Sequence, residues 1–326
     1  MIIVTGGAGF IGSCVVRTLN DAGRDDIVIV DNIGETDKWL NMRNKRYIKY
    51  VNKSEFLKVL PTYEGVEAII HMGAQSSTTE RDFDYLWTNN FEYTKALWNY
   101  CADKQISFIY ASSAATYGDG CQGFDDKTPI DVLLPLNGYG YSKQLFDLWV
   151  NNQALLSTPI IKPAQAVGLK FFNVYGPNEY FKGSMASMVF HGYNQIKTDG
   201  EIRLFKSCNP NYDDGGQLRD FVYVKDICKV IMWLLDNPNV NGLFNVGTGR
   251  AQSFRELAEA TFHALGMEPN IKYIDMPEQL RGKYQYYTKA EMSKLRDFGY
   301  NEPFVDLEAG AADYVINHLA KDYLTF

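Results

Sequence analysis

Tyr139 and Lys143 stand four residues apart in Tyr139-Gly-Tyr-Ser-Lys143, at the start of a segment whose apolar residues (Leu145, Phe146, Leu148, Trp149, Val150) recur at helical spacing. Residues i and i+4 share one helix face. An ammonium held one turn from a phenol favours the phenolate, so the spacing predicts a lowered pKa for Tyr139. A phenol tuned in that way can exchange a proton with an alcohol or a carbonyl near neutral pH. Tyr141 has no lysine at this spacing. Ser113 follows the apolar run Phe108 to Ala111, and at a strand's carboxyl end its hydroxyl can reach the same reacting oxygen. A tyrosine and a lysine four apart say little alone; the beginning of the chain gives them meaning.

That beginning is Met1-Ile-Ile-Val-Thr-Gly-Gly-Ala-Gly-Phe-Ile-Gly12. Ile2 to Thr5 reads as a buried strand, the glycines as a turn, and Ser13 to Leu19 as a helix. A turn of this kind leaves amides free at a helix N-terminus, where the macrodipole favours an anion. Gly6 permits the tight turn, Gly9 lets the backbone approach a pyrophosphate, and Gly12 lets helix pack on strand. Strand, glycines and helix in this order predict a dinucleotide site. A second strand, Ile27 to Val30, ends in Asp31-Asn32, and an acidic residue about 20 positions beyond the glycines suits the adenosine ribose of NAD. Lys38 and Lys53 follow, each either a partner for a 2′-phosphate or a solvated surface charge. On the residues alone, NAD and NADP are even.

The elements that must hold these groups alternate. Further strands are expected at Tyr47 to Val51, Glu67 to His71 and Phe108 to Ala111, with an aromatic-rich helix at Asp84 to Cys101 carrying Asn89 and Asn90. Gly73-Ala-Gln-Ser76 lies at a strand's carboxyl end, where ligands gather in open parallel sheets. The polar Ser77-Thr-Thr-Glu80 beside it can touch a ligand or cap the next helix. After about residue 170 the rhythm breaks. Lys182 to Lys197 contains one helical pattern, Ser207 to Gln217 is a polar loop, and a helix-like apolar pattern runs from Phe221 to Leu235. Gly242 to Val246 reads as a strand, and Ser253 to Leu265 and Leu307 to Ala320 as helices. The fold class is α/β: a doubly wound parallel Rossmann sheet with a smaller, interleaved α/β substrate domain. Residues 1–172 and 218–247 are assigned to the first and residues 173–217 and 248–326 mainly to the second, with part of 286–326 packing back on the first.

The 326 residues carry a formal net charge of -7, with 46% hydrophobic and 22% charged residues. No broad attraction to nucleic acid or anionic lipid follows from that balance, and no apolar run has membrane-spanning length. The first strand begins at Ile2, which leaves no room for a signal peptide. Cys14, Cys101, Cys121, Cys208 and Cys228 form no disulfide or metal-ligand spacing, which suggests reduced thiols, a cytoplasmic location and no metal.

Thr5-Gly-Gly-Ala-Gly-Phe-Ile-Gly12, Ser112-Ser113 and Tyr139-x-x-x-Lys143 together resemble the extended short-chain dehydrogenase/reductase superfamily of nucleotide-sugar epimerases and dehydratases. Gln75-Ser-Ser-Thr-Thr-Glu80, Ala111-Ser-Ser-Ala-Ala-Thr-Tyr-Gly118, Phe171-Phe-Asn-Val-Tyr-Gly-Pro177, Lys182-Gly-Ser-Met-Ala-Ser187, Arg219-Asp-Phe-Val-Tyr-Val224 and Asn245-Val-Gly-Thr-Gly-Arg250 narrow it to the ADP-heptose 6-epimerase family. The likeness runs over nearly the whole chain, and its most specific piece is Lys182 to Ser187.

The resemblance implies oxidation of C6″ of the heptose to a transient ketone and re-reduction from the other face with the same bound NADP, in the supply of lipopolysaccharide inner-core precursors. It implies that Tyr139 and Lys182 are acid/base groups on opposite faces, that Ser113 holds the oxygen, and that Lys143 binds the nicotinamide ribose. It places the cofactor on Gly6, Gly9, Phe10, Ile11, Gly12, Asp31, Asn32, Lys38, Lys53, Met72, Gly73, Ala74, Gln75, Ser76, Asn89, Lys143, Val174 and Lys182, with Lys38 and Lys53 near the 2′-phosphate. For the ADP-heptose substrate it points to Asn173, Ser184, His191, Phe205, Lys206, Ser207, Cys208, Arg219 and Tyr284. A guanidinium fork at Arg219 suits diphosphate oxygens, whereas His191 reads equally as a satisfied polar residue on a helix. It also implies a homo-oligomer, a homopentamer in that family. The chain departs from the family pattern at Lys206-Ser-Cys208 and in a longer Asn209 to Gln217 loop. A 4,6-dehydratase is disfavoured, because Ala114, Ala115 and Thr116 stand where those enzymes carry an Asp-Glu pair. A UDP-hexose 4-epimerase and a non-catalytic NADP-binding protein are the alternatives.

Overall fold

The computed structural model describes residues 1–151, 161–278 and 284–326. Its strands in chain order are β1 (Ile2–Thr5), β2 (Ile27–Asp31), β3 (Lys49–Asn52), β4 (Ala68–His71), β5 (Ser107–Ser113), β6 (Gln165–Phe171), β7 (Asn173–Tyr175), β8 (Ile202–Phe205), β9 (Leu218–Arg219), β10 (Phe221–Tyr223), β11 (Gly242–Val246), β12 (Gln252–Ser253) and β13 (Ile271–Ile274). The helices are α1 (Phe10–Asp21), α2 (Lys53–Val59), α3 (Phe83–Leu86), α4 (Tyr93–Lys104), α5 (Gly138–Asn151), α6 (Met188–Asp199), α7 (Val224–Asp236), α8 (Phe254–Ala264), α9 (Ser293–Asp297) and α10 (Leu307–Tyr314).

Seven strands form one parallel sheet in the order β11-β6-β5-β4-β1-β2-β3. The two-residue period of the strands sends alternate side chains to opposite faces. Ile2, Val4, Ile27 and Ile29 join a core with Val15 and Val16 of α1 and Ile227 and Ile231 of α7. Ile3, Val28, Val30 and Ile69 join a second core with Leu97 and Trp98 of α4 and Phe146 of α5. A sheet covered on both faces explains the continuous apolar runs of β1, β2 and β4, and each fully buried aliphatic side chain contributes about 1.5–3 kcal/mol. A third, smaller core brings Ile196 of α6 and Ile202 and Leu204 of β8 against Ala258 and Phe262 of α8. The strand order turns back on itself between β1 and β4, the position at which doubly wound sheets open a crevice at their carboxyl ends.

Three expected elements differ. The helix expected at Leu307 to Ala320 is α10 followed by a π-helical stretch, Val315–Leu319. The helix expected at Asp84 to Cys101 is α3 and α4 joined by a π-helical stretch, Trp87–Glu92. That extra residue per turn lets the consecutive Asn89 and Asn90 both turn inward, where each makes side-chain hydrogen bonds. The apolar pattern from Phe221 begins as a strand and becomes helical only at Val224, because Phe221 to Tyr223 pair in parallel with β7.

Candidate active site

The glycine turn closes against both neighbours of β1. Gly6 has φ +68°, and its amide donates to the Val30 carbonyl at 2.7 Å. A Cβ on Gly6 would lie 2.7 Å from the Gly73 nitrogen, and one on Gly12 would lie 2.2 Å from the Gly6 oxygen. The N-terminus of α1 has no side-chain cap and no acidic residue in its first turn. Its positive end therefore faces a cavity of about 770 Å³, walled there by Gly6, Gly9, Phe10, Ile11 and Gly12. A cradle without Cβ atoms, at an uncapped helix start, fits the pyrophosphate of a dinucleotide.

Asp31 closes the far end of that wall. One carboxylate oxygen accepts from the Ala8 amide at 3.0 Å; the other accepts from the Asn32 amide at 2.7 Å and from Lys38 at 2.8 Å. Lys53 donates to Asn89, and burial pushes its ammonium below the usual range. Asp31, Asn32, Lys38, Lys53 and Asn89 all line the cavity. The two lysines therefore belong to the site rather than to the open surface. Met72, Gly73, Ala74, Gln75, Ser76 and Val174 line the cavity as well.

Ser113, Tyr139, Lys143 and Lys182 line this same cavity. Ser113 caps the turn after β5 by accepting from the Ala115 amide at 3.1 Å, which leaves its proton free to donate. Lys143 donates to the Ala111 carbonyl at 2.9 Å, and burial pushes its ammonium down to about 8. The expected lowering of Tyr139 is corrected by the structure. Burial raises its pKa above the ordinary value; the hydrogen bond from Ser113 draws it back, and the charge of Asp147 raises it further. Desolvation is the largest influence on this phenol, which is why the helical spacing to Lys143 does not lower it. Lys182 lies over the Phe10 ring at 5.5 Å, and burial lowers its pKa, opposed by Glu179. It is not a plain surface lysine.

Three supporting networks left no spacing signal in the sequence. Asp147, one turn beyond Lys143, pairs with Lys170 at 3.2 Å with both side chains fully buried, and accepts from Tyr110 at 3.1 Å and Ser112 at 2.7 Å. His71 is held between Thr5 at 2.6 Å and Thr94 at 2.9 Å. Because the Thr94 hydroxyl donates to the Asn90 carbonyl at 2.6 Å, His71 Nε2 carries the proton and Nδ1 accepts from Thr5. Burial and the charge of Lys143 keep that imidazole neutral. Asn90 in turn receives the Gln75 amide at 2.8 Å and donates to Ser142 at 2.9 Å, joining the cavity lining to α5. Thr36, Tyr93, Phe181 and Met185 also line the cavity and stand outside the expected site residues.

The expected substrate residues divide. Asn173 lines the cavity. Arg219, 7% exposed, has no carboxylate partner among the described residues and stacks on Tyr284 at 5.2 Å and on Phe254 at 5.6 Å, the latter a cavity wall. A buried guanidinium without a counter-ion is suited to an anion. Ser207 and Cys208 lie beyond it: the Cys208 amide donates to the Tyr286 hydroxyl at 3.2 Å, and Tyr286 packs on Tyr284 at 5.3 Å. Phe205 is the last residue of β8. Lys206 instead forms an exposed ion pair with Asp275 at 3.0 Å. Ser184 is exposed in a 3-10 turn, and His191 on α6 packs edge-on to Phe190; neither lines the cavity. All five cysteines are free thiols, and among the described residues no helix is long and apolar enough to cross a membrane.

The family model for the NAD dependent epimerase/dehydratase family matches residues 2–247. The ADP-L-glycero-D-manno-heptose-6-epimerase of Nitratidesulfovibrio vulgaris Hildenborough is 53% identical over 324 residues, 98% of each chain. The enzyme of the same name from Fusobacterium nucleatum is 52% identical over 334 residues, 99% of each chain. The crystal structure of the Helicobacter pylori ADP-L-glycero-D-manno-heptose-6-epimerase superposes with a TM-score of 0.80 at 27% identity, covering 97% of this chain and 95% of that one.

Proposed function

The chain belongs to the NAD dependent epimerase/dehydratase family, and from that premise we propose that it interconverts ADP-D-glycero-D-manno-heptose and ADP-L-glycero-D-manno-heptose by inversion at C6″. One observation carries the reading: Ser113, Tyr139, Lys143 and a desolvated Lys182 share one cavity with an uncapped glycine cradle. The nicotinamide cofactor, NADP in this reading, supplies reversible acceptance of hydride from the sugar carbon. The glycine turn would hold its pyrophosphate, Asp31 and Asn32 the adenosine ribose, Lys38 and Lys53 the 2′-phosphate, and Lys143 the other ribose.

The protein's own part is proton transfer and orientation. Burial drives Tyr139 up, so that at neutral pH it holds a proton to give, and drives Lys182 down from the ordinary lysine value, so that its ammonium releases a proton more easily than a solvated one. In the oxidative half, the hydroxyl proton on C6″ passes to one of these groups as the C–H bond breaks. In the reductive half, the other returns a proton to the ketone oxygen from the opposite face. The Ser113 hydroxyl donates to that oxygen throughout, and Arg219 holds the diphosphate. Residues 1–172 and 218–247 form the cofactor-binding part of this scheme. Residues 173–217 and 248–326 mainly receive the sugar nucleotide, with part of 286–326 packing back on the first part. A cytoplasmic homo-oligomer making lipopolysaccharide inner-core precursors completes the proposal.

The test is to incubate the purified protein with either ADP-heptose epimer and follow the mixture by NMR. Approach to the same equilibrium from both sides supports the reading. Conversion of UDP-galactose instead would make the protein a hexose 4-epimerase, and turnover of no sugar nucleotide would make it a non-catalytic binder. Absorbance and mass of the nucleotide released on denaturation identify NADP or NAD.

A further inference from the structure

The loop that carries Lys182 is pinned at both ends by one residue. The Glu179 carbonyl accepts the Lys182 amide at 3.0 Å. The Glu179 carboxylate accepts the Ser187 amide at 2.6 Å, the Ser187 hydroxyl at 2.6 Å and the Gly176 amide at 3.3 Å. Ser187 is the N-cap of α6, its hydroxyl oxygen accepting from the Phe190 amide at 3.3 Å, so the carboxylate fixes where that helix begins. Glu179 is 1% exposed and forms no ion pair within 4 Å among the described residues. A carboxylate kept buried on neutral donors is costly where only a turn is needed.

The same segment is tied to the glycine turn. Asn178, with φ +75°, offers its carbonyl to Asn41 at 3.1 Å, and the same Asn41 amide group donates to the Ala8 carbonyl at 3.1 Å. Asn178 also donates to Ser13 of α1 at 2.9 Å. Hydrogen bonds thus run from the cofactor cradle through Asn41 to Asn178, the peptide bond leads on to Glu179, and further hydrogen bonds reach both ends of the Lys182 loop.

We propose that Glu179 is a positioning residue for Lys182, fixing the loop from Lys182 to Ser187 against the glycine cradle so that the lysine meets the sugar carbon from one defined side. This rests on the reading of Lys182 as an acid/base group. Lys182 faces the Glu179 carboxylate and the Phe10 ring. Burial raises the Glu179 carboxyl above its ordinary range, opposed by the hydrogen bonds from Ser187 and Gly176 and by the Lys182 charge that hold it ionised, while Tyr180 and Tyr314, which also face it, are held protonated by burial. Removing the Glu179 charge therefore leaves burial unopposed at Lys182 and moves its titration to lower pH.

The experiment compares wild type, Glu179→Gln and Ser187→Ala, each with its nucleotide bound, by kcat, KM, pH–rate profile and thermal melt. It adds the pH dependence of Lys182 acetylation by trace acetic anhydride, read by mass spectrometry without any turnover. Glu179→Gln is expected to lower kcat by about tenfold to a hundredfold, with KM for the sugar nucleotide within about twofold, since a small misplacement of a reacting group costs that much. Its Lys182 titration moves to lower pH in both the profile and the labelling. Ser187→Ala is expected to lower kcat less and leave the titration in place. Wild-type kcat in a folded Glu179→Gln, or an unmoved Lys182 titration by labelling, overturns the proposal. Should Glu179→Gln not fold, wild-type kcat in Ser187→Ala overturns it. A wild-type protein inactive on every sugar nucleotide overturns the function reading instead, and the labelling comparison still decides the role of Glu179.

Discussion

The Lys143 ammonium donates to the Ala111 carbonyl at 2.9 Å, from a position where burial pushes it down to about 8 against an ordinary 10.5. A lysine whose folded pKa lies below its unfolded one is a stability cost. Between pH 8 and 10.5 the unfolded chain binds the extra proton, so stability rises with pH across that window, and below it the full cost is present. Lys143→Met removes that cost and leaves the Ala111 carbonyl short of a donor, worth about 1 kcal/mol in the other direction. The nucleotide-free variant is expected to be more stable at pH 7 by about 1–2 kcal/mol, and the gain should shrink towards pH 10. Denaturant unfolding at the two pH values checks this, and a variant less stable than wild type at pH 7 would refute it.

Two glycines one helical turn apart should fail in different ways. A Cβ on Gly12 would meet the Gly6 carbonyl oxygen at 2.2 Å, a backbone atom that cannot rotate away. A Cβ on Gly9 meets the same oxygen at 3.1 Å and otherwise faces the cavity. Gly12→Ala should lose about 2–4 kcal/mol of stability through overpacking. Gly9→Ala should stay within about 1 kcal/mol of wild type while its nucleotide content collapses. Melting curves with and without added NADP separate the two outcomes.

The fold was largely legible because its signals are local. The apolar runs of β1, β2, β4 and β11, the glycine turn, and the Tyr139–Lys143 spacing each lie within a few residues. What stayed hidden depends on partners far apart in the chain. Thr5 and His71 are 66 residues apart, Asp147 acquires its meaning only when β6 brings Lys170 beside it, and Glu179 is an ordinary surface type until Ser187 folds back on it. The π-helical stretch at Trp87–Glu92 is invisible to a 3.6-residue period, although it turns Asn89 and Asn90 inward together. Tyr139 departs from the expectation for a related reason: spacing reveals a neighbouring ammonium but not the burial that raises the phenol's pKa.

Breaking the Asp147–Lys170 pair at one end should be far worse than replacing both partners. Lys170→Met leaves a carboxylate at 0% exposure with no ion pair within 4 Å among the described residues and is expected to cost about 3–5 kcal/mol. Adding Asp147→Asn in the same chain removes the orphaned charge and should recover part of that loss. A double variant less stable than Lys170→Met would count against this reading of the network.

The lysines at the ribose end predict the coenzyme preference. Lys38 is held by Asp31 and Lys53 by Asn89, so both ammonium groups stand at the cavity wall. Replacing both by alanine removes two charge-assisted contacts to a 2′-phosphate, each worth about 1.5–3 kcal/mol. NADP binding should weaken by about a hundredfold or more, with NAD binding changed by about threefold or less. Equal losses for both nucleotides, measured by calorimetry on the nucleotide-free protein, would contradict an NADP site.

The central claim is that two acid/base groups, Tyr139 and Lys182, invert one sugar carbon from its two faces. The direct measurement is the rate of ADP-heptose C6″ inversion by wild type and by the double variant Tyr139→Phe, Lys182→Met, with bound nucleotide quantified in both. The account predicts that the double variant keeps its fold and nucleotide while inversion falls by at least about 10⁴-fold, as expected when both proton-transfer groups are removed. Inversion at the wild-type rate in a folded, nucleotide-loaded double variant would contradict it.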